Sequence, residues 1–201
     1  MIRVLVADDQ ALVRAALAAL LNLEADIEVV AEAHSGNHAV QQAHQHQPDI
    51  ALIDIDMPDG NGLDTTFRIT TEIPHCRCII VTTFGRPGYL RTALKAGASG
   101  FVIKDTPPEA LADAIRKVHS GLRAIDPQLA EESLLVPDCP LTEREITICQ
   151  LLLKGTDAKT IAKKLFITAG TVRNLFSSII TKTGTTNRYE AARIAHSYGW
   201  L

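Results

Sequence analysis

Three short stretches of this chain end on residues that are costly to place without a purpose. Ile50-Ala51-Leu52-Ile53 feeds directly into Asp54, and Ile55-Asp56-Met57-Pro58-Asp59-Gly60 follows as a Pro/Gly loop. Val4-Leu5-Val6-Ala7 runs in the same way into Asp8-Asp9, and Gly100-Phe101-Val102-Ile103 into Lys104. A fourth apolar run ends on Thr82. A carboxylate beside a buried strand is expensive to desolvate unless it has a partner. Asp8, Asp9 and Asp54 gathered at one place would repel one another, and a divalent cation that prefers oxygen ligands, such as Mg2+, relieves that repulsion. Asp54 can then stay ionised and attack a phosphoryl group. Lys104 can hold a transferring oxygen, and the Thr82 hydroxyl can serve another. The acyl phosphate adds charge and three acceptor oxygens in one spot. Thr82 can move toward it, and Phe101 can fill the space left behind. Such a set is a two-state switch rather than a site of turnover.

The elements that must position these residues are legible in the apolar pattern. Strands are expected at residues 2–7, 27–33, 49–54, 77–83 and 100–104, and helices at 10–22, 35–47, 62–73, 87–96 and 107–120. Five strands alternating with five helices give a doubly wound α/β domain over 1–121. In a parallel sheet all strand carboxyl ends share one edge, so Asp8, Asp9, Asp54, Thr82 and Lys104 can converge. Residues 122–139 lose the alternation and carry Pro127 and Pro137. They read as a linker with one short helix.

Residues 140–201 read as an all-α domain of four helices. Thr142 and Glu145 form a capping box, and Asp157, Thr168 and Asn187 cap the next three helices. Two short helices joined by Phe166-Ile167 form a helix-turn-helix pattern. In the helix after Thr168, apolar residues fall at Val172, Leu175, Phe176, Ile179 and Ile180. The other face carries Thr171, Arg173, Asn174, Ser177, Ser178 and Lys182. Arginine can read guanine and asparagine adenine, while the hydroxyls and Lys182 suit phosphates.

Charge divides the chain in the same place. Residues 1–139 hold 11 Lys and Arg against 19 Asp and Glu, and residues 140–201 hold 9 against 4. A basic second half fits an anionic partner, double-stranded DNA. No apolar run approaches the ~18 residues that a membrane span needs, so no membrane insertion is expected and the expected location is cytoplasmic. The four cysteines lack zinc spacing and are expected reduced and structural. His34, His38, His44 and His46 read as a solvated surface, and Trp200 as a packing anchor.

These residues resemble the response regulators of bacterial two-component systems. The resemblance rests on Asp8-Asp9, Asp54 with Met57-Pro58 and Gly60-Asn61-Gly62, Thr82, and Phe101-Val102-Ile103-Lys104. With the basic second half, the whole chain resembles the NarL/FixJ family. The stretch Thr82-Thr83-Phe84-Gly85-Arg86-Pro87-Gly88-Tyr89 and Thr171-Val172-Arg173-Asn174 look like its DesR branch. The resemblance implies phosphorylation of Asp54 by a partner sensor histidine kinase. It implies Mg2+ held by Asp9, Asp54 and the backbone carbonyl of Asp56, with Asp8 close by, and strand order 2-1-3-4-5. It implies Arg173, Asn174 and Ser177 as base-facing. It also implies a homodimer on activation, through the last helix, with Asn187, Arg188 and Ala191, and through the first and fifth helices, with Leu12, Val13, Leu17, Leu111, Ile115 and Val118. Asp105 stands where many receivers carry proline, which leaves the isomer of the Lys104–Asp105 bond open.

Two other readings compete. Asp54-Ile55-Asp56 resembles the DxD motif of aspartate-nucleophile phosphatases, although that class places it on the first strand. A constitutive DNA-binding regulator with an uncoupled receiver is the other.

Overall fold

The computed structural model describes residues 1–83 and 87–201. Phe84, Gly85 and Arg86, part of the stretch that resembles the DesR branch, lie outside the described residues. The chain divides into two compact units, with the main break after Glu131.

The first unit alternates strands and helices: β1 (Ile2–Ala7), α1 (Ala11–Leu21), β2 (Ile27–Ala33), α2 (Gly36–His46), β3 (Ile50–Ile53), α3 (Gly62–Glu72), β4 (Arg77–Thr82), α4 (Pro87–Lys95), β5 (Gly100–Ile103) and α5 (Pro108–His119). The sheet is parallel throughout, in the order β2-β1-β3-β4-β5-β6. The expected order 2-1-3-4-5 is present, extended by a sixth strand. β6 (Ala124–Ile125) pairs with β5, and α6 (Pro127–Leu134) follows it. The stretch expected to be a linker therefore contributes an edge strand to the sheet. The Lys104–Asp105 bond is trans.

The inner strands β1, β3 and β4 are buried on both faces, as parallel strands covered by helices must be. Val4, Val6, Ile50, Leu52, Ile79 and Val81 form one core layer, which Leu111, Ile115 and Val118 of α5 complete. Those three α5 residues, expected on a dimer surface, are instead buried in this core. The apolar stripe of α5 is spent on the sheet beneath it.

The second unit contains α7 (Glu143–Leu153), α8 (Ala158–Lys164), α9 (Ala169–Thr183) and α10 (Arg188–Ser197). All four N-caps are those expected, each accepting a backbone N–H. Ile148, Leu152, Ile161, Val172, Phe176 and Ile179 form its core. Trp200 packs against that core and donates its indole N–H to the Pro137 carbonyl at 3.2 Å.

Glu145 is a charged residue inside this unit, 2% exposed. It closes the capping box at Thr142 and also receives Ser178 Oγ at 2.6 Å and Lys182 Nζ at 2.7 Å from α9. Burial opposes its charge, but Lys182, Ser178 and the Thr142 N–H outweigh it and hold the pKa down at about 2. A depressed carboxylate pKa stabilises the fold above the unfolded-state value and loses that contribution as pH falls toward the folded one. The helical unit is expected to lose on the order of 3 kcal/mol between about pH 5 and pH 2. Urea titrations followed by Trp200 fluorescence should show this, and Glu145→Gln should start less stable at pH 7 and respond less to acid.

Candidate functional site

Register sets up the acidic pocket. Ala7 pairs with Ile53, so Asp8 and Asp54 leave adjacent strands at the same height. Thr82 pairs with Ile103, so Lys104 begins one residue beyond it, and its backbone N–H donates to the Thr82 carbonyl at 2.7 Å. Asp54 donates its own N–H to the Ala7 carbonyl at 2.9 Å. The sheet therefore delivers Asp8, Asp54, Thr82 and Lys104 to one edge, as their strand-end positions require.

Lys104 Nζ lies 2.7 Å from Asp8 Oδ2 and 3.1 Å from Asp54 Oδ2. Both carboxylates are nearly sealed from solvent. The ammonium is thus shared between the two acids, within hydrogen-bonding distance of each. Burial disfavours its charge, but the flanking carboxylates more than compensate and raise its pKa. Asp54 shows the opposite balance. Burial raises its pKa above the ordinary carboxylate value, Lys104 partly offsets this, and Asp8 and Asp56 add to it.

Asp8, Asp9 and Asp54 each bring a carboxylate oxygen within 4.8 Å of the others. An all-oxygen, triply acidic donor set fits a hard divalent cation such as Mg2+. Asp8 also accepts the Gln10 N–H at 2.9 Å, and its backbone carbonyl accepts Arg14 Nη1 at 2.7 Å. Gln10 and Arg14 are supports that the sequence did not disclose. Asp9 and Asp56 are exposed. Thr82 and Phe101 are 3% and 2% exposed. Outside this pocket, His34 and His38 bring their Nδ1 atoms to 3.1 Å, but two ligands alone make no metal cage.

The loop after β3 is held by close backbone approach. Gly36 and Asn37 donate their N–H groups to the Pro58 and Asp59 carbonyls. A Cβ on Gly62 would meet the Asp54 carbonyl oxygen at 2.0 Å. Glycine is therefore required directly behind Asp54.

In the second unit, Thr171, Arg173, Asn174 and Ser177 are exposed on α9. Ser178 and Lys182, expected to meet phosphates, face α7 and are engaged by Glu145. On α10, Asn187 is used as the N-cap, and the Arg188 guanidinium stacks over Phe176 and Tyr189 at 4.9 and 4.8 Å. Ala191, expected at a dimer contact, is fully buried in the core of its own unit. On α1, Leu12 is 83% exposed, with Val13 and Leu17 half-buried beside it. Together with Ala16, Leu20 and Pro108 they line an apolar groove of about 350 Å³.

Residues 4–116 match the family described as the response regulator receiver domain, and residues 139–195 match the bacterial regulatory proteins of the luxR family. The chain is 42% identical over 201 residues to the transcriptional regulatory protein DesR of Bacillus subtilis strain 168, covering 100% of both. It is 34% identical over 209 residues to the oxygen regulatory protein NreC of Staphylococcus epidermidis, covering 96% of each. Among solved structures, the response regulator ChrA of a heme-sensing two-component system aligns with a TM-score of 0.59 and 33% identity, over 100% of this chain and 98% of that one. The chain belongs to the NarL/FixJ response regulators. It is a DNA-binding transcriptional regulator of a two-component system, a receiver followed by a LuxR-type helix-turn-helix domain.

For this response regulator, two outcomes follow from the pocket. Gly62→Ala should cost about 2 kcal/mol of receiver stability in urea denaturation, because backbone must shift. Asp54 should titrate above 3.8 by carboxyl-carbon NMR, and higher still in Lys104→Met, where the stabilising ammonium is gone.

Proposed function

We propose that Asp54 is the phosphoacceptor for a sensor histidine kinase, and that its phosphorylation switches the protein to a DNA-binding dimer. The supporting observation is the Lys104 ammonium, held between the buried carboxylates of Asp8 and Asp54 at the edge where Asp9 completes the acidic set. An Asp54 oxygen forms the new P–O bond while the P–N bond to the kinase's histidine breaks and the imidazole leaves with the electron pair. Lys104 turns from Asp54 to a phosphoryl oxygen, and the Thr82 hydroxyl serves another. Phe101 follows Thr82 inward. Mg2+, held by Asp9, Asp54 and the Asp56 carbonyl beside Asp8, would neutralise the transferring oxygens. The product is a stored charge state, so the site acts as a switch without turnover, in the cytoplasm where kinase and promoter are both within reach.

The receiver is assigned to 1–121 with β6 added to its sheet from the connecting stretch 122–139, and the DNA-binding domain to 140–201. Arg173, Asn174 and Ser177 are assigned to bases and Thr171 to phosphate. Ser178 and Lys182 hold the recognition helix through Glu145. For the receiver dimer, burial leaves Leu12, Val13 and Leu17 as the contact face, since α5 offers no free apolar stripe.

Sedimentation and DNA binding with Mg2+ and beryllofluoride test the switch. Wild type should dimerise and bind its promoter at least tenfold tighter, while Asp54→Ala should not respond. Leu12→Asp should take the mimic yet remain monomeric. Equal behaviour of wild type and Asp54→Ala would establish the constitutive reading instead.

A further inference from the structure

Phe166 is the anomaly of the second unit. It follows the Leu165 C-cap of α8, its φ is +54°, and its residue surface is 95% exposed. Its N–H donates to the Lys163 carbonyl at 3.3 Å, and the Ile167 N–H to the Ala162 carbonyl at 3.0 Å. That pair of bonds is a Schellman closure, whose left-handed position favours glycine. Five other helix ends among the described residues close with the same pair of bonds, at Gly97, Gly121, Gly155, Gly184 and Gly199. Only the helix-turn-helix turn puts an aromatic residue there. A bulky residue at positive φ is strained, and an exposed phenyl ring gains nothing from the core. Two costs with no internal compensation point to a contact outside the chain.

The surroundings say what it contacts. Lys163 and Lys164 are exposed on one side of Phe166. Thr168, two residues on, caps α9, and its hydroxyl meets that of Thr171 at 2.9 Å. In this motif the N-terminal end of the second helix enters the major groove. We propose that Phe166 is a DNA contact whose ring packs on the deoxyribose at the flank of the groove entered by α9. The inference rests on α9 being the recognition helix. The lysines supply the charge that anchors phosphate, and the ring covers the apolar sugar edge between phosphates.

The full chain, activated with Mg2+ and beryllofluoride, is titrated against a duplex recovered by wild type from a random library, and against a scrambled duplex. Phe166→Gly should unfold at the same or higher temperature than wild type, by up to about 5 °C. It should bind both duplexes about five- to tenfold more weakly. Its slope of log affinity against log salt should be unchanged, since no phosphate contact is lost. Phe166→Tyr should restore binding. Arg173→Ala in parallel tests the recognition helix on its own, through loss of preference for the recovered duplex. Wild-type affinity in Phe166→Gly would overturn the proposal, as would a loss of affinity matched by a loss of stability. Unchanged DNA affinity with impaired transcription by purified RNA polymerase would overturn it in favour of a protein contact.

Discussion

The receiver depends on one ammonium between two carboxylates that water barely reaches. Asp8, Asp54 and Lys104 leave three different strands, and each would be costly in its place without the others. The parallel sheet brings them to a common edge, and the ion pairs keep the charges tolerable there. The arrangement is under tension. Asp54 is pushed toward protonation by burial and drawn back by Lys104, while Lys104 keeps its charge because both acids remain.

The helical unit repeats the device in a different setting. Glu145 is as buried as Asp54, but its lone pairs are filled by Thr142, Ser178 and Lys182. One carboxylate thus closes a local helix cap and fixes the rotation of α9 about its own axis. The exposed Arg173 and Asn174 owe their direction to a residue on another helix. One acid is held below the ordinary carboxylate pKa by its partners, and the other is raised above it by burial that Lys104 only partly offsets.

Much of this was legible in sequence because it is local. Strands that end on Asp8, Asp54, Thr82 and Lys104, and helices that start at Thr142, Asp157, Thr168 and Asn187, announce themselves through apolar runs and capping residues. What escaped was set by partners distant in the chain. β6 has two residues, too few for a pattern, and exists because β5 offers it a ladder. Leu111, Ile115 and Val118 show the spacing of an apolar stripe, but spacing does not say whether sheet or second subunit covers it. Ser178 and Lys182 looked like phosphate ligands until Glu145, more than thirty residues away, claimed them. The Schellman turn at Phe166 hid behind a residue type that gives no hint of positive φ.

The short β6 also decides how the sheet ends. On that side the border is stepped, β6 covering only Gly100 and Phe101 of β5, so it offers an incoming strand no long straight edge. The opposite edge, β2, is seven residues long but carries exposed Glu28 and Glu32. A strand seeking to join there would have to settle beside two carboxylates. Neither border invites strand-to-strand extension, so two copies of this receiver brought side by side would have little tendency to grow a shared sheet.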